Sequence, residues 1–222
     1  MQPKNNESLT RRFYDRISHV YDTIADGGEH KARERGLELL AVGSGESVLE
    51  IGYGTGHSIV ALAESVGDTG HVTGIDISSG MQQVSQKRVN ESSCADRVEL
   101  LVSEAPPLPM GDKIFDVVTL SFTLELFPIA DIPAVLTEIR RVLKPTGRLG
   151  VVSMATVRDG EGESPLEKTY KWMHTHFPHI VDCQPIDAER LVTESGFTLT
   201  KNERFDLFTM PVAILVANRT QI

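Results

Sequence analysis

The chain has 222 residues, 40% of them hydrophobic, which is enough for one full core. Acidic residues outnumber basic ones by 31 to 22, for a formal charge of −9. Nucleic-acid binding relies on Lys and Arg to neutralise phosphates, so this balance argues against nucleic acid as the main partner.

In chain order, residues 1–8 are polar and carry no apolar signal-peptide core. Over 9–25, Phe13, Ile17, Val20, Tyr21 and Ile24 recur at helical spacing, and Gly27-Gly28 ends the pattern. A second helix is predicted over 29–42, stopped by Gly43-Ser44-Gly45. From there strand and helix alternate. Strands are predicted over 47–51, 71–76, 98–102, 114–121 and 148–154, with helices over 57–66, 79–90 and 131–143. Ser78 or Ser79 is the expected N-cap of the 79–90 helix, and Lys144-Pro145-Thr146-Gly147 reads as the turn into the fifth strand. This rhythm implies a doubly wound, Rossmann-like parallel sheet with right-handed crossovers. Helices over 166–176 and 187–195 follow, then two strands over 197–208 and 212–218 with little between them. That ending predicts an antiparallel hairpin at the sheet edge.

We find no linker, repeat or low-complexity block. The chain reads as one globular unit, with an N-terminal helical lid segment over 1–45 and a main domain over 46–222. No apolar run approaches the ~20 residues of a membrane helix. Cys94 and Cys183 form no CxxC motif, so a disulfide framework is not expected and a reducing cytoplasm is.

The chain is organised around Val48-Leu49-Glu50-Ile51-Gly52-Tyr53-Gly54-Thr55-Gly56-His57-Ser58. A short buried strand runs into three alternate glycines and then straight into a helix. Glycine admits a ligand close to the backbone and tolerates positive φ. The helix start offers free N–H groups to a polar ligand. The arrangement suits a nucleotide-like cofactor. A dinucleotide fingerprint would place its third glycine where His57 stands; here it comes one residue early, at Gly56. Asp76, at the end of the second strand, is a carboxylate placed to accept from both ribose hydroxyls, and by itself does not choose the cofactor.

At this point the chain resembles the class I S-adenosylmethionine (SAM)-dependent methyltransferases, especially the quinone-methyltransferase-like branch. The matching stretches are VLEIGYGTG (48–56), GIDIS (74–78), EAPPLPM (104–110), FDVVTLSFTLELF (115–127) and IRRVLKPTGRLGVVSM (139–154), in family order, with FYDRISHVYD (13–22) ahead of them. Tyr53, Glu104 and Thr146 depart from the residues usual at their positions. The resemblance implies SAM as cofactor. It implies that Gly52, Gly54 and Gly56 hold the amino-acid end, and that Glu50 supports the loop and faces the ammonium, directly or through water. Asp76 would take the ribose diol, Ile77 would pack on adenine, and Glu104 with the Ala105 N–H would read the adenine edge. Ser121 and Phe122 would lie under the sulfonium, and Tyr21 would touch the methionine end.

Methyl transfer from a sulfonium is an in-line displacement in which the cofactor carries the activated group. A base is needed only for an acceptor that must lose a proton. His174 and Glu125 are the candidates, with His176, His179 and Tyr21 behind them. His174, His176, His179 and Cys183 show no recognised metal-ligand spacing, and no metal is expected. The expected function is methyl transfer to a small-molecule acceptor. A SAM-binding module without transfer activity and an NAD-dependent oxidoreductase are the alternatives.

Overall fold

The computed structural model describes residues 29–156, 184–207 and 210–220. The predicted helix over 9–25, the one over 166–176, Tyr21 and His174 lie outside these residues.

Helix α1, Glu29–Leu40, begins the described chain and buries Ala32, Gly36 and Leu40, spaced four apart. Strand β1, Ser47–Ile51, leads through the glycine loop into α2, His57–Val66. Strand β2, His71–Asp76, leads into α3, Ser79–Asn90, whose N-cap is Ser78: its hydroxyl accepts from the Met81 N–H at 3.1 Å. Strand β3 is Val98–Val102 and β4 is Phe115–Ser121, one residue shorter than the 114–121 prediction. Helix α4, Ile132–Val142, carries Pro133 in its first turn, where a missing N–H costs nothing. It buries Ile132, Val135, Leu136, Ile139 and Val142, an apolar stripe of helical period.

Strand β5 runs over Leu143–Met154, five residues earlier than the 148–154 prediction. Leu143 pairs with Phe115 and Arg148 with Val117, so residues 144–147 bulge out of a strand that has already begun. The Lys-Pro-Thr-Gly chemistry makes this bulge rather than a separate turn. Helix α5, Ala188–Glu194, and strands β6, Phe197–Leu207, and β7, Met210–Arg219, complete the chain.

The seven strands form one sheet in the order β3-β2-β1-β4-β5-β7-β6. The first five pair in parallel; β7 runs antiparallel to both β5 and β6. Both faces are covered. Alternate residues of one strand enter different core clusters: Val117 lies with Leu40 and Val216, while Val118 lies with Leu136 and Ile139 of α4. Arg148 clamps the C-terminal end of α1 to β5, donating to the Leu40 and Ala41 carbonyls and to both Glu46 carboxylate oxygens at 2.7–2.8 Å.

Candidate functional site

The C-terminal ends of β1, β2, β4 and β5 form one edge of the sheet, where ligands bind in open parallel sheets. At β1 the chain leaves the sheet through Gly52, Gly54 and Gly56, all at positive φ (76°, 51° and 83°). The Gly52 N–H donates to the Ile75 carbonyl at 2.7 Å, tying the loop to β2. A Cβ on Gly52 would overlap the Thr123 side chain, whereas one on Gly54 meets nothing within 4 Å among the described residues. Gly52 is therefore glycine for packing, and Gly54 presents bare backbone to open space. Gly56 caps α2 in the left-handed region and accepts from the Val60 N–H at 3.2 Å.

Asp76 ends β2 and is 8% exposed. One carboxylate oxygen accepts from the Gly54 N–H at 2.9 Å and the other from the Ser78 N–H at 2.9 Å. The carboxylate is thus held rigidly beside the glycine loop. Ile77 is half-buried next to it. The Ser103 N–H donates to the Asp76 carbonyl at 3.0 Å, which brings the loop after β3 alongside. Glu104 on that loop is exposed and Ala105 is half-buried, packed against the α4-side core.

Glu50 lies under α1, 1% exposed. Burial pushes its carboxyl up to about 8; the Ser58 hydroxyl and Arg33 pull against that, and Asp76 adds to it. Among the described residues its Oε2 has no hydrogen-bond partner, nor has the buried Oγ of Ser121 at the end of β4. Both residues line a cavity of about 10 Å³ with Arg33, Ser58 and Thr119, room for one water at most. Phe122 follows at φ +50° and donates its N–H to the Val152 carbonyl at 2.7 Å. The 3₁₀ turn Leu124–Leu126 comes next and places Glu125, 1% exposed, across the end of β5, where it accepts from the Met154 N–H at 2.8 Å.

Of the residues singled out from sequence, Glu50, the three glycines, Asp76, Ile77, Ser121, Phe122 and Glu125 gather on this edge. Glu104 and Ala105 stand beside them on the β3 loop. Sequence reasoning passed over Thr123, Ser58 and Arg33. Ser58, in the first turn after the glycine loop, carried a readable signal as a hydroxyl at a helix start. Thr123 and Arg33 are brought in only by tertiary packing. Among the described residues no group of three His, Cys, Asp or Glu could hold a metal ion.

The profile of the ubiE/COQ5 methyltransferase family matches residues 2–184. The chain belongs to that family. It is 35% identical over 153 residues to a demethylmenaquinone methyltransferase of Listeria welshimeri, a match covering 67% of this chain and 64% of that protein. The match thus spans a little under two thirds of the length of such relatives. In fold, the chain is similar to a SAM-dependent methyltransferase from Aquifex aeolicus, with a TM-score of 0.62, 22% identity, and coverage of 83% of this chain and 88% of that one. It is also similar to the Burkholderia thailandensis 1,6-didemethyltoxoflavin-N1-methyltransferase, a structure with bound S-adenosylhomocysteine. There the TM-score is 0.72 at 17% identity, covering 100% of this chain and 92% of that one. The sheet is the Rossmann-like methyltransferase sheet, mostly parallel with an antiparallel last strand.

The residues present fit a cofactor of this kind. Gly54 presents bare backbone, Asp76 presents an oriented carboxylate, and Glu50 and Ser121 keep buried polar atoms without partners among the described residues.

Proposed function

We propose that this protein transfers the methyl group of SAM to a small-molecule acceptor. The observation that carries the reading is the Asp76 carboxylate, held by the Gly54 and Ser78 N–H groups beside a glycine whose open side faces space. Family membership supports it. When bound, SAM supplies a methyl group activated on a sulfonium.

The chain's own residues bind and position. Asp76 accepts from the ribose hydroxyls, with Ile77 against adenine and Glu104 and the Ala105 N–H at its polar edge. Gly52, Gly54 and Gly56 cradle the amino-acid end, and Glu50 supports the loop and faces the ammonium, directly or through water. Ser121 and Phe122 underlie the reacting centre. The segment over 1–45, with Tyr21, covers the site and keeps water out. Either His174 or Glu125 takes a proton from an acceptor that must lose one. The names of the relatives support a quinone-type ring as acceptor. The acidic charge supports a small molecule rather than nucleic acid, and no described helix is long and apolar enough to cross a membrane. With its sparse cysteines, we place the protein in the cytoplasm.

Incubation with SAM and a reduced naphthoquinone, followed by mass spectrometry, tests the reading. Formation of S-adenosylhomocysteine together with a methylated acceptor supports it. Tight SAM binding with no transfer to any acceptor points to a binding module instead.

A further inference from the structure

The loop that follows β3, residues 103–110, carries Pro106, Pro107 and Pro109. Proline has no backbone N–H, so this loop can do little to hold itself in place by hydrogen bonds of its own. Its anchors come from α4. The Leu108 N–H donates to Glu138 Oε2 at 2.9 Å. Arg141 donates through one nitrogen to the Leu108 carbonyl at 3.0 Å and through another to the Met110 carbonyl at 2.8 Å. The same guanidinium donates to both Glu138 carboxylate oxygens at 2.9 Å and to Asp112 at 2.7 Å. Leu108, 4% exposed, plugs the loop into the core, with Ala105 and Met110 packed against it.

An exposed ion pair contributes little by itself. This one differs because both partners also hold loop backbone, so they decide where the loop lies. The Arg141 guanidinium keeps the Glu138 carboxyl below its usual range, and the acceptor for Leu108 stays charged. Reaching two carbonyls and a carboxylate at once takes the planar fork of arginine; a lysine has a single nitrogen.

The cargo of the loop gives this clamp its use. Glu104 and the Ala105 N–H, just ahead of Leu108, are the groups proposed above to read the adenine edge. Adenine offers a 6-amino donor beside the N1 acceptor. A 6-oxopurine reverses that edge, with an acceptor beside an N1–H donor. A carboxylate and an N–H held in fixed places match the first and oppose the second, whereas a loose loop can re-pair with either.

We infer that Glu138 and Arg141 are positioning residues for cofactor-base specificity: by clamping the 103–110 loop they fix Glu104 and the Ala105 N–H so that a 6-aminopurine is admitted and a 6-oxopurine is rejected. This rests on the adenine-edge reading of Glu104 and Ala105.

Calorimetry of S-adenosylhomocysteine and S-inosylhomocysteine, which differ only at that purine edge, tests it. The proteins are wild type, Arg141→Lys, Arg141→Ala, Glu138→Gln and Glu104→Ala. Arg140→Lys is the control, because Arg140 is the next residue on α4 yet donates to the Thr220 carbonyl. Exchange of the Leu108 amide, followed by NMR, reports the clamp without ligand. A role in stability alone would lower the melting temperature and leave the ratio of the two affinities unchanged. Wild type should prefer the adenosyl compound by about a hundredfold or more. The ratio should fall about tenfold in Arg141→Lys, further in Arg141→Ala and less in Glu138→Gln, which keeps one acceptor oxygen. Leu108 exchange should quicken in the same order, with Arg140→Lys like wild type. A wild-type ratio in both Arg141 variants, or unchanged Leu108 exchange, overturns the positioning role while leaving the adenine reading in place. A wild-type preference below about threefold, or a wild-type ratio in Glu104→Ala, overturns the adenine reading and this role with it. Failure of wild type to bind either compound strikes the SAM site itself.

Discussion

The ring of Tyr53 fills the space that a side chain on Gly74 would need: a Cβ there would fall 2.7 Å from Tyr53 Cδ1 and 2.9 Å from both Ile59 Cδ1 and Leu100 Cδ2. Tyr53 sits inside the glycine loop yet is 4% exposed, its hydroxyl reaching the Leu101 carbonyl at 3.4 Å. The loop is thus bolted to β2 by an aromatic residue. Gly74→Ala should cost about 1–3 kcal/mol by overpacking. Tyr53→Ala should cost about 3–5 kcal/mol, as large aromatic truncations do. The double variant should cost less than the sum, because the added methyl enters the vacated space. Urea denaturation of the four proteins checks this, and strict additivity would show that the two residues do not share one site.

Gly52 and Gly54 should respond differently to alanine. At Gly52 a methyl overlaps Thr123, so stability falls and binding follows it down. At Gly54 the space is open, so only the left-handed backbone costs, about 1–2 kcal/mol. A methyl there projects to where a ligand must approach. Gly54→Ala should lose SAM affinity out of proportion to its small drop in melting temperature. Comparable loss of affinity in both variants, tracking stability alone, would remove Gly54 from the site.

Burial of Glu50 makes a prediction about pH. An unfolded glutamate ionises at about 4.3, whereas Glu50 in the folded chain holds its proton to about 8. Below the unfolded value both states are protonated. As pH rises from there, only the unfolded state gives up its proton, so stability falls until the folded value is passed and then levels off. Glu125 adds a parallel fall. The carboxyls held low by partners, Glu46 by Arg148 and Glu138 by Arg141, act in more acidic solution and leave this window clear. Glu50→Gln should therefore flatten the decline between about pH 5 and 8 and be more stable than wild type at the upper end. Denaturation midpoints at three pH values measure it, and an unchanged slope would place the Glu50 proton elsewhere.

Much of this fold was legible because its signals are local. Alternation of β-branched runs with helical stripes located β1, α2, β2, α3 and β3 to the residue. Gly52-Tyr53-Gly54-Thr55-Gly56 and Asp76 pointed to the proposed ligand edge through glycine's backbone freedom and a carboxylate at a strand end. The rest depends on distant neighbours. Leu143 belongs to β5 only because Phe115 lies beside it. Tyr53 is a core residue only because Gly74 makes room. The state of Glu125 is set first by burial and then by Met154 and Glu29, 29 residues ahead and 96 behind in sequence, and no spacing rule connects them.

The covering role proposed for the predicted helix over 9–25 makes a test of its own. Limited proteolysis should cut rapidly between residues 9 and 28 without ligand and slow when SAM or S-adenosylhomocysteine is added. The Gly27-Gly28 pair is the expected hinge. Cleavage that is slow from the outset, or indifferent to ligand, would make this segment a fixed part of the fold.

The central claim is that the edge around Asp76 binds SAM, and calorimetry of SAM binding to wild type, Asp76→Ala and Asp96→Ala tests it most directly. Asp96 is an exposed carboxylate in the turn Ala95–Arg97 that precedes β3, at the opposite end of the strands, and serves as the control. Charge-assisted hydrogen bonds are worth about 1.5–3 kcal/mol, so Asp76→Ala should bind SAM at least about tenfold more weakly than wild type, with Asp96→Ala unchanged. Equal affinities for all three proteins would contradict the account.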